Sequence, residues 1–206
     1  MSEELKQIVE QIVVDYLSSF PVEVSNRHIH LSSEHLETLF GKGYQLSVLR
    51  YLSEPGEFAA QETLTLLTPQ GVIPDLRILG PVRSKTQLEV AASDARKLKI
   101  NPPLGTARSE ENLKVILVGP LGVVELSEGV IISPRHIHAT PEEAKRLEVS
   151  DGQLVEVEIG GDRPGILGRV LIRVSPNYKL ALHIDIDEGN ALGVKEGFRA
   201  KIFKRS

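Results

Sequence analysis

The feature that most constrains this chain is an internal repeat. Ser25-Asn26-Arg27-His28-Ile29-His30 returns as Ser133-Pro134-Arg135-His136-Ile137-His138, at an offset of 108 residues. Each copy runs into a helix start. Thr140-Pro141-Glu142-Glu143 offers a capping Thr, Pro at the first helical position and Glu three residues after the cap, and Ser32-Ser33-Glu34-His35 stands at the same offset. A second echo follows each copy. Leu88-Glu89-Val90 leads to Ser93-Asp94-Ala95, and Leu182-His183-Ile184 leads to Asp187-Glu188-Gly189, at an offset of 94. The first half therefore carries 14 more residues between its two motifs, and Glu89 stands opposite His183. Such a chain reads as a fused duplication of a strand-rich unit. Each unit brings a His-X-His and one further ligand-type residue.

Short strands dominate the rest. Residues 63–67 and 72–79 flank a Thr-Pro-Gln-Gly turn and predict a hairpin. Apolar and polar residues alternate over 154–159, 170–174 and 180–186, as in half-buried strands. The N-terminal segment is different: Leu5, Ile8, Val9, Ile12, Val13, Tyr16 and Leu17 draw one apolar stripe at helical spacing, closed by Pro21. A stripe of this kind packs on the body of its own protein more often than it serves as a docking peptide for a partner. Asn101-Pro102-Pro103-Leu104-Gly105 breaks structure and is expected to join two domains, with the polar stretch 107–112 as a flexible linker. The expected division is 1–20 for the helix, 21–106 for the first domain and 107–206 for the second.

Composition removes several function classes. Of the 206 residues 41% are hydrophobic, enough for one core or two, and the net charge of -4 argues against a nucleic-acid surface. Apolar runs such as Val115-Ile116-Leu117-Val118 are far too short to span a bilayer, and the acidic start Met1-Ser2-Glu3-Glu4 is unlike a secretory signal. A cytoplasmic location is expected. There is no cysteine, so disulfides, zinc-thiolate sites and cysteine nucleophiles are excluded, and any metal must be held by imidazole and carboxylate.

In an extended segment the imidazoles of His28 and His30 share one face and Ile29 takes the other; the same holds for His136, Ile137 and His138. Two imidazoles on one face suit chelation of a single ion. These four, with His183, account for five of only six histidines. Glu89 sits in an otherwise apolar strand, opposite in orientation to Leu88 and Val90; the repeat raises it above an ordinary solvent-facing carboxylate. His35 falls in a predicted helix opposite Glu143 and reads as a surface residue. Other uses of His-X-His fit poorly. An amidohydrolase barrel needs about 250 residues, the metallo-β-lactamase continuation is missing, and the cupin spacing met by Glu34 and Gly41 fails in the second copy. Arg83, in Gly80-Pro81-Val82-Arg83-Ser84, would stand on a loop or at a strand start before Glu89, where a guanidinium suits phosphate.

At these residues the sequence resembles the phosphate propanoyltransferase family, the phosphotransacylases of propanediol-utilisation microcompartments. The matching stretches are Val24-Ser25-Asn26-Arg27-His28-Ile29-His30-Leu31-Ser32, Leu79-Gly80-Pro81-Val82-Arg83-Ser84, Gln87-Leu88-Glu89, Arg135-His136-Ile137-His138 and His183-Ile184-Asp185-Ile186-Asp187-Glu188-Gly189-Asn190-Ala191. The resemblance implies a mainly β (α+β) fold of two similar β-barrel-like domains capped by short helices, with a dinuclear zinc site between them. It implies His28, His30 and Glu89 on one Zn2+ and His136, His138 and His183 on the other, with Arg83 and Glu89 taking part in catalysis. Phosphate would meet Arg83, and coenzyme A, as substrate, would meet Ser25, Asn26, Arg27, Arg77 and Asn190. The N-terminal helix resembles the peptides that direct some members into a protein shell, so a microcompartment shell protein is an expected partner. A homodimer is the base-rate expectation for assembly.

The implied reaction interconverts a short-chain acyl-CoA plus phosphate with acyl phosphate plus CoA. Either direct attack in a ternary complex or an acyl-carboxylate on Glu89 satisfies the residues. A zinc-dependent thioester or phosphoester hydrolase and a non-catalytic metal-binding module are the alternatives.

Overall fold

The computed structural model describes residues 2–105 and 113–204; the stretch 107–112, expected to be a linker, lies outside the described residues. The chain opens with α1 (Glu3–Leu17) and β1 (Ser19–Ser25). Then come β2 (His28–Ser32), α2 (Ser33–Phe40), β3 (Val48–Tyr51), the long hairpin β4 (Phe58–Thr68) and β5 (Gly71–Arg83), β6 (Gln87–Val90) and α3 (Ala92–Leu98). β7 (Val115–Val118), β8 (Val123–Leu126) and β9 (Val130–Ile132) follow. The second copy of the repeat gives β10 (His136–Ala139), α4 (Pro141–Leu147), β11 (Leu154–Ile159), β12 (Gly165–Val174), β13 (Ala181–Asp185) and α5 (Ile186–Leu192), and β14 (Arg199–Ile202) ends the chain's regular structure.

The repeat is visible element by element. β2-α2-β4-β5-β6-α3 corresponds to β10-α4-β11-β12-β13-α5, and the extra residues of the first half include the edge strand β3, which pairs with β4. Both helix starts form as the caps demand: Ser32 accepts from the His35 backbone N–H, and Thr140 and Glu143 close a capping box behind Pro141. The predicted hairpin is present, with Thr68 paired to Gly71 across Pro69-Gln70.

Two compact units divide the chain: Met1–Ser25 with Pro134–Ser206, and Asn26–Ser133. The first is a closed barrel in the order β1-β13-β10-β12-β11-β14, packed around Phe20, Ile137, Val157, Ile172 and Leu182. The second is an eight-stranded curled sheet, β8-β7-β4-β5-β2-β6-β9 with β3 at the side, over a core of Ile29, Leu66, Ile78, Leu88 and Leu117. Mainly β architecture with short helices is therefore correct, one unit closing as a barrel and the other staying open.

The domain boundaries differ from those expected, and the reason is strand exchange. β1 and β9 are equivalent in the repeat, but each is built into the unit of the other copy. β1 runs parallel to β13 with Glu23 beside His183, and β9 runs parallel to β6 with Ile131 beside Glu89. The units accordingly break at 25/26 and 133/134. The 101–105 stretch is not the joint. Pro103 O and the Gly105 N–H bracket Ile132 in a short parallel bridge, which stitches the stretch to β9 within one unit.

The first helix forms as its stripe predicts but does not pack. Every residue of α1 is exposed, the stripe residues Ile12 and Tyr16 to 61% and 62%, which decides against the core-facing reading. The helix ends at Leu17, before Pro21, because the chain must already be extended at Ser19 to pair with Lys201 in β14. Lys201 to Asp15 at 2.9 Å and the Arg199 guanidinium over the Tyr16 ring at 4.3 Å tether its C-terminal end. Among the described residues no helix is long and apolar enough to cross a membrane.

Candidate functional site

Each His-X-His is a strand anchored by its middle residue. Ile29 and Ile137 are fully buried, each burial stabilising by roughly 1.5–3 kcal/mol. That holds the strand face, and with it the direction of the flanking imidazoles. The His28 and His30 ring centroids lie 5.3 Å apart, and those of His136 and His138 lie 4.6 Å apart. A third candidate ligand lies on the neighbouring antiparallel strand in the same register in both units: His28 sits opposite Glu89, and His136 opposite His183. Within each trio, His28-His30-Glu89 and His136-His138-His183, one potential donor atom per residue lies within 4.8 Å of the others.

The hydrogen bonds prepare these atoms. His28 Nδ1 lies 2.8 Å from Asn26 O, and His136 Nδ1 lies 2.9 Å from Pro134 O. A carbonyl only accepts, so Nδ1 carries the hydrogen in both rings and Nε2 is left for a cation. His28 Nε2 faces Glu89 Oε2 at 3.8 Å, while Glu89 Oε1 accepts a 2.8 Å hydrogen bond from Gln87 Nε2. Imidazole and carboxylate atoms converging at this spacing would suit a single divalent cation. His30 Nδ1 is buried with no hydrogen-bond partner among the described residues, an expensive state that a metal would relieve. His138 is stacked on Tyr178, with ring centroids 3.9 Å apart, and Glu23 Oε2 stands 3.8 Å from His183 Nδ1.

Electrostatics favour neutral imidazole, the ligating form. Burial, then the charges of Arg83 and His28, depress His30 from 6.5 to about 2. Burial, then Arg173 and His183, depress His136 likewise to about 2. The donor set of imidazole and carboxylate, without thiolate, fits zinc and its first-row neighbours, so the six residues fit the metals that the resemblance implies.

Arg83 is the C-terminal residue of β5, in register with Ser32, and not on a loop or at a strand start as expected; the Gly80-Pro81 pair lies inside the strand. Its Nη2 is 2.7 Å from Glu57 Oε1, and the side chain remains 40% exposed. The residues expected against coenzyme A are dispersed in role. Ser25 ends β1, and Asn26 lends its carbonyl to His28. Arg27 binds Asp94 at 2.9 Å, Arg77 donates to the carbonyls of Ala60 and Gln61 at 2.8 and 2.9 Å, and Asn190 is exposed on α5. His35 is half-buried rather than superficial, its Nδ1 2.7 Å from Thr86 Oγ1, which also accepts from the Ser32 backbone N–H.

Several site residues escaped the sequence reading. Gln87 was legible, two residues before Glu89 on the same strand face. Glu23 and Tyr178 were not, because only strand exchange and a loop bring them to His183 and His138. Arg173, in register with His138 on β12, adds a cation beside the second trio as Arg83 does beside the first.

The family model of the phosphate propanoyltransferases matches residues 21–195. The chain is 42% identical over 205 residues to the phosphate propanoyltransferase of Enterococcus faecalis, covering 99% of this chain and 97% of that one. It is 43% identical to that of Alkaliphilus metalliredigens over 98% of this chain and 99% of the relative, and 44% identical to that of Thermotoga maritima over 85% of each. Every one of the six trio residues lies inside the matched span. The chain belongs to the phosphate propanoyltransferase family.

Proposed function

We propose that this protein is a zinc-dependent phosphate acyltransferase that interconverts a short-chain acyl-CoA, propanoyl-CoA or acetyl-CoA, plus phosphate with acyl phosphate plus CoA. The observation that carries the reading is the duplicated trio. In a chain of this family, two ligand sets occupy the same strand register, His28 opposite Glu89 and His136 opposite His183.

His28, His30 and Glu89 hold one Zn2+, and His136, His138 and His183 the other. When bound, the metal supplies a Lewis acid for the thioester carbonyl and for the oxyanion that develops on it. Arg83 grips phosphate with its planar fork, and its half-open position at a strand end, in an exposed pair with Glu57, leaves the guanidinium accessible to the substrate. Holding both reactants removes much of the entropic barrier of a bimolecular step, worth up to about 7–11 kcal/mol. Direct attack of phosphate oxygen on the thioester carbon, with CoA thiolate leaving, is favoured over an acyl-carboxylate on Glu89. Glu89 Oε1 is already held by Gln87 Nε2, and its other oxygen is the one available to a metal.

Ser25, Asn26, Arg77 and Asn190 are the residues assigned to coenzyme A. The uncovered stripe of α1 supports a shell protein as its partner, hence a place in a microcompartment of the cytoplasm serving propanediol degradation. A homodimer is the proposed assembly.

The test is release of free CoA thiol from propanoyl-CoA with and without phosphate. Release that requires phosphate is expected. Equal release without phosphate would mean that water is the nucleophile and that the chain is a hydrolase.

A further inference from the structure

Two ion pairs are duplicated together with the ligands. Arg27 Nη1 meets Asp94 Oδ1 at 2.9 Å, and Arg135 Nη2 meets Glu188 Oε1 at 2.6 Å. The two arginines are related by the offset of the His-X-His motifs, and the two acids by the offset that relates Glu89 to His183. The acid changes from Asp to Glu while the link persists.

The two links are placed alike, with Arg135 also donating to Gly168 O at 3.4 Å. Each arginine stands between the carbonyl that accepts from the first histidine, on Asn26 or Pro134, and that histidine itself. Each acid sits three residues after the N-cap of the helix that follows the third ligand. Its second oxygen accepts the N-cap backbone N–H, from Ala91 to Asp94 Oδ2 at 3.4 Å and from Asp185 to Glu188 Oε2 at 3.3 Å. Ala91 is two residues beyond Glu89, and Asp185 two beyond His183. One carboxylate thus ties the entry of the first-ligand strand to the exit of the third-ligand strand. The acids are well placed for it, with side chains only 7% and 17% exposed and in the first turn of a helix.

We propose that Arg27–Asp94 and Arg135–Glu188 are two copies of a positioning clamp that holds the first histidine of each trio, through its Nδ1–H···O=C bond, against the third ligand. Resting on the metal reading above, the clamp gives Arg27 a structural task rather than a place against coenzyme A. Neither arginine touches the metal; each acts through the carbonyl and strand beside it.

The experiment measures zinc dissociation constants of the full chain by competition with a chromophoric chelator, for the wild type, Asp94→Asn, Glu188→Gln, Arg27→Lys and Arg135→Lys. Melting temperatures of the chelator-treated proteins serve as the folding control. Each carboxylate-to-amide change should weaken one of two zinc equivalents by about tenfold or more and leave the other unchanged, the scale of lost outer partners of metal ligands. Each lysine variant, which retains the charge, should recover most of the affinity. Should an amide variant fail to fold, Arg27→Gln or Arg135→Gln carries the test for that pair, since it removes the charge from the other side of the link and should weaken the same zinc equivalent. Wild-type protein that takes up zinc while every variant keeps wild-type affinity overturns the clamp and leaves the metal reading standing. Wild-type protein that takes up none overturns both. A raised acyl-CoA KM for Arg27→Lys with unchanged zinc affinity, and no effect of Asp94→Asn, returns Arg27 to the coenzyme and overturns the clamp.

Discussion

Arg83→Ala separates chemistry from folding. The side chain ends a strand, stays 40% exposed and makes one ion pair with the half-buried Glu57. A pair that open to water contributes about 0.2–1 kcal/mol, and for a chain of this size about 1 kcal/mol moves the melting temperature by about 2–4 °C. Metal uptake should survive as well. Arg83 is the second cause of the low His30 pKa, behind burial, so its removal leaves the imidazole neutral at pH 7. Turnover is another matter. Loss of the phosphate-holding guanidinium should cost at least about a hundredfold, roughly 2.7 kcal/mol at about 1.36 kcal/mol per decade. The phosphate KM should rise too, because ground-state binding is lost with it. Arg83→Lys should recover only part, since an ammonium lacks the two parallel donors. The assay is steady-state thiol release over a range of phosphate concentration, beside zinc content and thermal melting. Near wild-type turnover with an unchanged phosphate dependence would refute the assignment. Arg173 would then be the next candidate, because Arg27 and Arg135 are held by Asp94 and Glu188.

Glu89→Ala and His136→Ala should each lower zinc content by about one equivalent together with activity; loss of activity at full zinc content would instead give that side chain a direct chemical role, as read by elemental analysis. Below pH 6.5 the unfolded chain protonates His30 and His136 while the folded chain, with both near 2, does not, so the metal-free protein should lose stability as pH falls. At pH 5 the loss approaches about 2 kcal/mol per histidine at 1.36 kcal/mol per unit, and equal melting temperatures of chelator-treated protein at pH 7.5 and pH 5 would contradict it. Gly80→Ala should destabilise by about 1–3 kcal/mol in chemical denaturation, because a Cβ there would overlap the Phe58 ring. A neutral result would show that this crossing of β4 and β5 has slack.

The candidate site was legible because its residues are carried by the repeat. The offset that pairs Glu89 with His183 in the sequence is the register that places them opposite His28 and His136 in the sheets. Alternation gave β11 residue for residue, and cap chemistry gave α4. The domain boundaries were not legible. Equivalent leading strands look alike whether each stays with its own copy or crosses to the other, and only the pairing of Glu23 with His183 decides. Arg83 was misplaced on a loop or at a strand start because Gly80-Pro81 reads as a break, whereas β5 continues through it along β2. The α1 stripe gave the helix but not its exposure: amphipathic spacing reports a face, and nothing in the spacing says whether the body of the protein covers it.

Phosphorus NMR of a mixture of propanoyl-CoA, phosphate and the zinc-loaded protein tests the central claim most directly. Attack by phosphate must deposit the acyl group on phosphorus-bound oxygen. A new acyl phosphate resonance is therefore predicted, growing in step with free CoA thiol and absent when zinc is removed by chelation. Thiol release that leaves the phosphate signal untouched and yields free carboxylate would contradict it.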